Sequence, residues 1–331
     1  MSVLSKPYFH DEAAAFAFVE RIIWNGEPVC PHCGVVGRAY ALKAVRSKPS
    51  KKNPEGVVRH GLKKCGACRA QFTVRIGTIF EESHLPLHKW LQAIYLMCSS
   101  KKGISAKQLE RTLEVTYKTA WFLGHRIREA MRDTAMTPMG GEGMTLEVDE
   151  TFLGRQATIF VSGKGWQQRR GTGDMRKIVT LVERGGRARS VHVPSLRKED
   201  IVAVMAHADR ASVLNTDQAQ HYRRIGTEFA AHETVDHGRD EYVRYDGDVV
   251  TTTNTIEGYF SIFKRGMKGI YQHCSEKHLQ RYLAEFDFRY SNRSALGCED
   301  EERAARALAG IVGKRLTYRG GTNRRTEAAS A

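Results

Sequence analysis

No uncharged apolar stretch in this 331-residue chain approaches the ~20 residues that cross a bilayer. The longest candidate, "WLQAIYLMCSS", is too short. The opening "MSVLSKPYFHDEAAAF" lacks a basic start followed by an apolar segment, so a secretory signal is not expected. The expectation is an intracellular, cytoplasmic protein. Acids are scarce as well: 37 Asp and Glu face 52 Lys and Arg, leaving a net charge of +15. Such an excess points to a polyanionic partner, and nucleic acid is the commonest. Cysteines are few and odd in number, seven, which in an intracellular chain argues against disulfides. There is no internal repeat and no long low-complexity segment. The length allows two or three domains around substantial cores.

What is present is unevenly placed. Residues 38–75 hold eleven Lys or Arg and one acid, Glu55, a local charge of +10. A second basic stretch covers residues 155–177, with Lys164, Arg169, Arg170 and Arg176 inside it. Either run alone reads as a solvated loop. Four of the cysteines fall into two pairs, "CPHC" (Cys30, Cys33) and "CGAC" (Cys65, Cys68). A two-residue gap lets both thiolates of a pair turn inward on a tight knuckle, and two knuckles make a tetrahedral Zn²⁺ site. Gly34 and Gly66 suit those turns. His32 or His60 could replace one thiolate. A closed four-thiolate site leaves no position for water and is structural. Cys98, Cys274 and Cys298 read as ordinary thiols.

Periodicity divides the rest. "DEAAAFAFVERII" predicts a short amphipathic helix with Asp11 at its start. "LHKWLQAIYLMCSS", "SAKQLERTL" and "YKTAWFLGHRIREAMR" predict three helices, with Ser105 and Gln108 at capping-box spacing. The last two resemble a helix-turn-helix whose second helix is rich in Thr, Lys, His and Arg. "DTAMTPMGGEG" is a linker by composition. Beyond it strands alternate with helices: "MTLEVDETFLG", a hairpin at Gly185-Gly186, a helix over "KEDIVAVMAHA", a buried strand "SVLNTD", and helices to residue 293. The expected domains are residues 1–80 (helix and ribbon), 81–135 (helix-turn-helix), 144–295 (an α/β domain), and 296–331, a polar basic tail.

Carboxylates end two of the apolar strands, Asp149 in "LEVD" and Asp217 in "VLNTD". Open α/β sheets place their sites at such ends. A third acid lies in "NTIEGYFSIFKRG". On a helix, Asn254, Glu257, Ser261, Lys264 and Lys268 share an arc of roughly 80°. Ile256, Phe260, Phe263 and Met267 form the neighbouring apolar stripe. Glu257 and Lys264 would then face the same way, two turns apart. The bland reading is a surface helix with solvated charges. Glu150 should point to the opposite side of its strand from Asp149, and Glu147 to the same side. Asn254, one helical turn before Glu257, reads as a cap or a hydrogen-bond donor to the site, Arg265 and Lys268 as candidate phosphate contacts, and His237 and His273 as structural or surface residues. The order of parts suits an RNase H-like nucleotidyl-transfer domain, in which three carboxylates hold two Mg²⁺ ions.

The chain resembles bacterial insertion-sequence transposases of the ISXO-like, zinc-ribbon DDE family. The residues carrying the resemblance are "CPHCG", "CGACRAQFTVRIGTIFE", "LEVDETFLG", "NTDQ" and the block from "NTIEGYFSIFKRG" to "FRYSNR". It covers about residues 15–293. The resemblance implies an RNase H-like mixed-sheet domain behind a zinc ribbon and a helix-turn-helix-like domain. It implies that Asp149, Asp217 and Glu257 bind Mg²⁺ (Mn²⁺ as substitute), with Lys264 against DNA near the scissile phosphate. The implied function is binding of terminal inverted repeats, strand cleavage, and strand transfer into target DNA by a DNA-induced homo-oligomer, nucleoid-associated when bound. Two alternatives remain open on sequence. One is a zinc-ribbon DNA-binding regulator or domesticated relic; the other is an RNase H-like nuclease without strand transfer.

Overall fold

Helix α1 (Glu12–Trp24) starts where expected, because the Asp11 carboxylate accepts from the Ala14 amide at 2.7 Å and caps the first turn. This computed structural model describes residues 2–51, 53–169, 171–217, 219–235, 243–247 and 249–317. Arg170, Gln218, His237 and residues 318–331 lie outside the described residues. The chain divides into two compact units. One takes in the chain to Ser100, Ile104–Met131 and the segment from Asp300; the other takes in Lys101–Gly103 and Arg132–Glu299.

In the first unit, β1 (Ala39–Ala41), β2 (Lys63–Cys65) and β3 (Gln71–Phe72) form a small antiparallel sheet in that order. Helices α2 (Leu87–Ser99), α3 (Ala106–Leu113) and α4 (Tyr117–Met131) follow. Pro86 precedes α2 and offers no side-chain cap. Glu12 of α1 supplies it, accepting from the Leu87 amide at 2.8 Å and the His88 amide at 3.2 Å. That tie explains why the segments expected as separate domains, 1–80 and 81–135, share one compact unit. Ser105 caps α3 by accepting from the Gln108 amide at 3.1 Å. Glu114, at φ 53°, turns the chain into α4. Leu109, Leu113, Ala120, Leu123 and Ile127 are buried on the facing sides of α3 and α4. The basic character of α4 is only partly available to a ligand. His125, Arg126 and Arg128 are buried, and Arg126 lies over the rings of Trp90 and Phe122. Tyr117, Lys118 and Thr119, at the helix start, are the exposed residues.

The second unit is built on β4 (Thr145–Leu153), β7 (Arg176–Glu183), β8 (Ala188–Val193), β9 (Val213–Asp217) and β10 (Ala231–Val235), with the ribbon β5 (Thr158–Val161) and β6 (Gly165–Gln168) between the first two. The five-stranded sheet runs β10-β9-β4-β7-β8. β10, β9 and β4 are parallel; β7 and β8 are antiparallel to their neighbours. Taken in chain order, the sheet reads fifth, fourth, first, second, third strand, the RNase H-like mixed sheet expected. Helices α5 (Lys198–Met205) and α6 (Gln220–Gly226) cover one face, where Val148, Leu181, Leu214, Ile201 and Tyr222 meet. A hairpin of β11 (Val243–Asp246) and β12 (Val249–Thr252) leads into α7 (Asn254–Gly266), a π-helical turn at Met267–Tyr271, and α8 (Glu276–Ser291). These cover the other face through Ile256, Phe260, Phe263, Leu283 and Phe286. At Gly266 a Cβ would meet Phe286 at 2.5 Å and the Lys102 carbonyl at 2.6 Å, so only glycine allows this approach.

Two features depart from the sequence reading. Residues 155–177 contain the β5–β6 ribbon rather than a plain loop. The polar segment expected as a tail from residue 296 contains α9 (Asp300–Ala309), whose Ala307 and Leu308 are buried. Arg303 fastens it, donating to the Cys98 carbonyl at 3.0 Å.

Candidate active site

Period-two alternation sorts the side chains of β4. Leu146 and Val148 enter the core beneath α5 and α6. Glu150 takes that side too, accepting from the buried Tyr222 hydroxyl at 2.7 Å. Glu147 points to the opposite side, toward α7, where it accepts from the Ile256 amide at 2.9 Å. Asp149, two residues on, shares that face.

Strand β9 brings the second acid. Its parallel register with β4 sets Glu147 beside Asn215. Two residues further along each strand, past the last paired residues, come Asp149 and Asp217, so both acids lie at the same end of the sheet. Asn215 confirms the face by donating to the Thr252 carbonyl at 3.2 Å, just ahead of α7. Asp217 is the last residue of β9, and its carboxylate accepts from the Ala219 amide at 3.0 Å.

Helix α7 brings the third. Ile256, Phe260, Phe263 and Met267 are buried, and Asn254, Glu257, Ser261, Lys264 and Lys268 are exposed, as the predicted arc requires. Glu257 follows directly on the residue bonded to Glu147. The electrostatics register the convergence. Burial pushes the Asp149 carboxyl up to about 7, and the charges of Glu150, Asp217 and Glu257 add to the rise, against one bond from the Glu150 amide. Three carboxylates thus share a region, where the charges of Asp217 and Glu257 make ionisation of Asp149 harder. Oxygen donors of this kind suit Mg²⁺.

A clamp that the sequence reading did not anticipate holds α7 in place. Thr253 precedes the helix and makes no side-chain cap. The fully buried Glu147 caps it from β4 instead, and its other oxygen accepts from Arg184 at 3.1 and 3.2 Å. Arg184 also donates to the carbonyls of Val250 at 2.8 Å and Thr252 at 3.3 Å. The visible signal was a glutamate on the Asp149 side of an apolar strand. Among the other residues considered, Arg265 is bonded back to Ser261 on its own helix. The Lys264 ammonium lies 5.9 Å from the Phe260 ring centroid. Asn254 is the first helical residue, and His273 is exposed beyond the π-helical turn.

The cysteines form a second centre. Among the described residues, Cys30, Cys33, Cys65 and Cys68 are the group whose ligand atoms all lie within 4.8 Å of one another, and neither His32 nor His60 joins them. Sγ separations of 3.7 Å for Cys30–Cys68 and for Cys33–Cys65 fit a tetrahedron with ~2.3 Å Zn–S bonds, whose edge is ~3.8 Å. The two knuckles repeat one backbone pattern. Gly34 donates to the Cys30 carbonyl and Cys30 to that of Val35; Arg69 donates to the Cys65 carbonyl and Cys65 to that of Ala70. The left-handed positions are therefore Gly34 (φ 73°) and Arg69 (φ 64°). Gly66, expected in that role, serves instead a close approach to the Arg38 carbonyl, which a Cβ would meet at 3.0 Å. The Cys68 amide points at the Cys65 thiol and helps draw its pKa down to about 6.

Comparison with known proteins gives matches to both centres. Residues 140–291 match the family model of the ISXO2-like transposase domain, and residues 10–71 match that of the transposase zinc-ribbon domain. The chain is similar to an uncharacterized protein in transposable element ISH50 of Halobacterium salinarum, with 27% identity over 299 residues, 85% of this chain and 91% of that protein. Among solved structures it is similar to a chain of the simian T-cell lymphotropic virus intasome in complex with PP2A regulatory subunit B56 gamma. There the identity is 15% over 54% of this chain and 63% of that one, with a TM-score of 0.27, so the chain spans less than two thirds of the intasome chain. It is also similar to the Mos1 strand transfer complex, with 11% identity over 66% of this chain and 73% of that one, TM-score 0.25. Scores this low add nothing to the fold, which rests on the strand order and the family match.

Proposed function

We propose, for a chain that belongs to the ISXO-like, zinc-ribbon transposase family, that it is a DNA transposase acting through Asp149, Asp217, Glu257 and Lys264. The observation that carries this reading is the placement of Asp149 and Asp217 at one end of the parallel strands β4 and β9, with Glu257 on the helix that Glu147 caps from β4; the raised Asp149 carboxyl agrees with it. In this reading the three carboxylates hold divalent metal, Mg²⁺ or Mn²⁺. Bound there, the metal would activate the attacking oxygen and stabilise the leaving oxygen of a phosphodiester.

The protein's own residues do the rest. Glu147 and Arg184 seat α7 so that Glu257 meets the two strand acids. Lys264, two turns along the exposed face, takes a backbone phosphate and positions the strand without reading its sequence. The net charge of +15 supplies general attraction to DNA. The zinc ribbon, and the exposed start of α4 at Tyr117, Lys118 and Thr119, bind the terminal inverted repeats. Hydrolysis of the end phosphodiester frees a 3′-hydroxyl, which then attacks a target phosphodiester and displaces its 3′ oxygen. No covalent enzyme intermediate is needed. Two protomers are expected to hold the two ends.

The test uses a labelled DNA fragment carrying the element's own end, with Mg²⁺ and the wild-type protein or Asp149→Ala, Asp217→Ala or Glu257→Ala. End-specific nicks and joined products are expected from wild type, and their loss from all three variants while binding survives. Tight binding without cleavage by wild type, in Mg²⁺ and in Mn²⁺, would show a DNA-binding regulator instead.

A further inference from the structure

Between β4 and β7 the chain leaves the sheet and makes a two-stranded ribbon that its own unit hardly covers. Phe160 and Trp166 pair across it, ring centroids 5.7 Å apart and edge to face. They are 66% and 73% exposed. Ile159 on the other face is exposed too. A lone two-stranded hairpin is marginal in water, and large exposed aromatic rings on one are costly unless a partner covers them.

Charge says which partner. Among the described residues of 154–177, Arg155, Lys164, Arg169, Arg176 and Lys177 face a single acid, Asp174, so five less one leaves +4. Lys164 sits in the turn at the tip, and Gln168 is exposed on the same face as the rings. Paired aromatics within a cationic, hydrogen-bonding surface suit a DNA strand. Bases stack on the rings while phosphates meet the lysines and arginines. Stacking needs a base face, and a base offers one only when it has left the duplex. Position agrees. The ribbon springs from the end of β4, four residues beyond Asp149 and so ~13 Å along the strand. That is the sheet end at which β9 delivers Asp217.

We infer that the β5–β6 ribbon is a stacking platform for unpaired bases of a DNA strand, with Phe160 and Trp166 as its rings. The inference rests on the DNA-acting reading above.

The experiment uses the full chain and two probes of one sequence, a fully paired duplex and the same duplex with a four-nucleotide single-stranded gap. Affinities are measured for wild type, Phe160→Ala/Trp166→Ala and Trp166→Phe, with melting temperatures to check folding. Both positions are exposed, so the variants are expected to melt as wild type does. Loss of stacking should weaken binding to gapped DNA about tenfold or more and leave the paired duplex within about twofold. Trp166→Phe should retain most of the preference. The gap should also shield Trp166 from acrylamide, a fluorescence change absent in Trp166→Phe.

Equal losses on both probes would reduce the ribbon to a phosphate contact and overturn the inference. So would unchanged binding, or a change only in sedimentation, which would make the rings a contact between copies. If the gap preference holds while no end is cut, the platform stands and the transposase reading falls. If ends are cut and the ribbon variants are indifferent, the reverse holds.

Discussion

At the scale of single residues, burial governs two acids on the α7 side of the sheet. Asp149 is pushed up to about 7 by burial and by its acidic neighbours. Asp287 is pushed up to about 6 by burial, against bonds from Tyr259 and Ser190. Both lie above the ordinary ~3.9 of aspartate, so the folded protein holds these protons more tightly than the unfolded chain. Their contribution to stability is full below about pH 4 and is lost as pH rises, through about 6 for Asp287 and about 7 for Asp149. In metal-free buffer, urea midpoints should therefore fall between pH 4 and 7. Asp149→Asn should flatten the last part of the fall, between about 6 and 7. Mg²⁺, which favours the ionised carboxylate, should move the Asp149 part of the slope to lower pH. An unchanged profile in Asp149→Asn would mean the carboxyl is not raised. Asp149, Asp217 and Glu257 were legible as candidates because strand ends and a helical arc are local patterns. The proton held at Asp149 was not, since it depends on charges from three separate segments.

At the scale of elements, the apolar stripe of α7 could be read from its spacing, but not what holds its first turn. Thr253 makes no side-chain cap, and a carboxylate arriving from β4 does the work. Helix α2 uses the same device, with Glu12 arriving from α1. Glu147→Ala would leave the Ile256 amide and the Arg184 guanidinium without their buried acceptor. The expected loss is about 2–4 kcal/mol in urea unfolding. Glu147→Gln keeps an acceptor for the amide and should lose less. Equal stability of Glu147→Ala and wild type would remove the clamp from the account of how Glu257 is seated. The β5–β6 ribbon escaped the sequence reading for a related reason. Its strands have four residues each and lie within a basic run that equally describes a solvated loop.

At the scale of the whole molecule, the two compact units differ in what stabilises them. The second has a five-stranded sheet with apolar clusters on both faces. Among the described residues, the apolar cluster at the centre of the ribbon in the first is small: Cys30, Cys65 and Phe72, with Trp24, Val35, Ala39 and Ile76 at its edge. So small a core needs a metal to hold it. Metal analysis should find one Zn²⁺ per chain. A chelator should abolish hydrogen-exchange protection around residues 28–72 and leave that of the β4–β9 sheet unchanged. Protection in the ribbon that survives complete removal of metal would mean the four thiols need no ion to fold.

The amino-acid sequence alone determined the cysteine pairs, the amphipathic helices, the chain order of four of the five sheet strands and the positions of the three acids. Each is a pattern of period, spacing or cap within one segment, where neighbours along the chain are neighbours in space. Tertiary structure decided the rest. It buried His125, Arg126 and Arg128 of the predicted DNA-reading helix, made α9 from a polar stretch, and put Arg69 rather than Gly66 at the left-handed position. It also joined Glu147 to α7 and left Phe160 and Trp166 uncovered. Those outcomes depend on which distant surface arrives to bury or pair a side chain, and no local pattern carries that information.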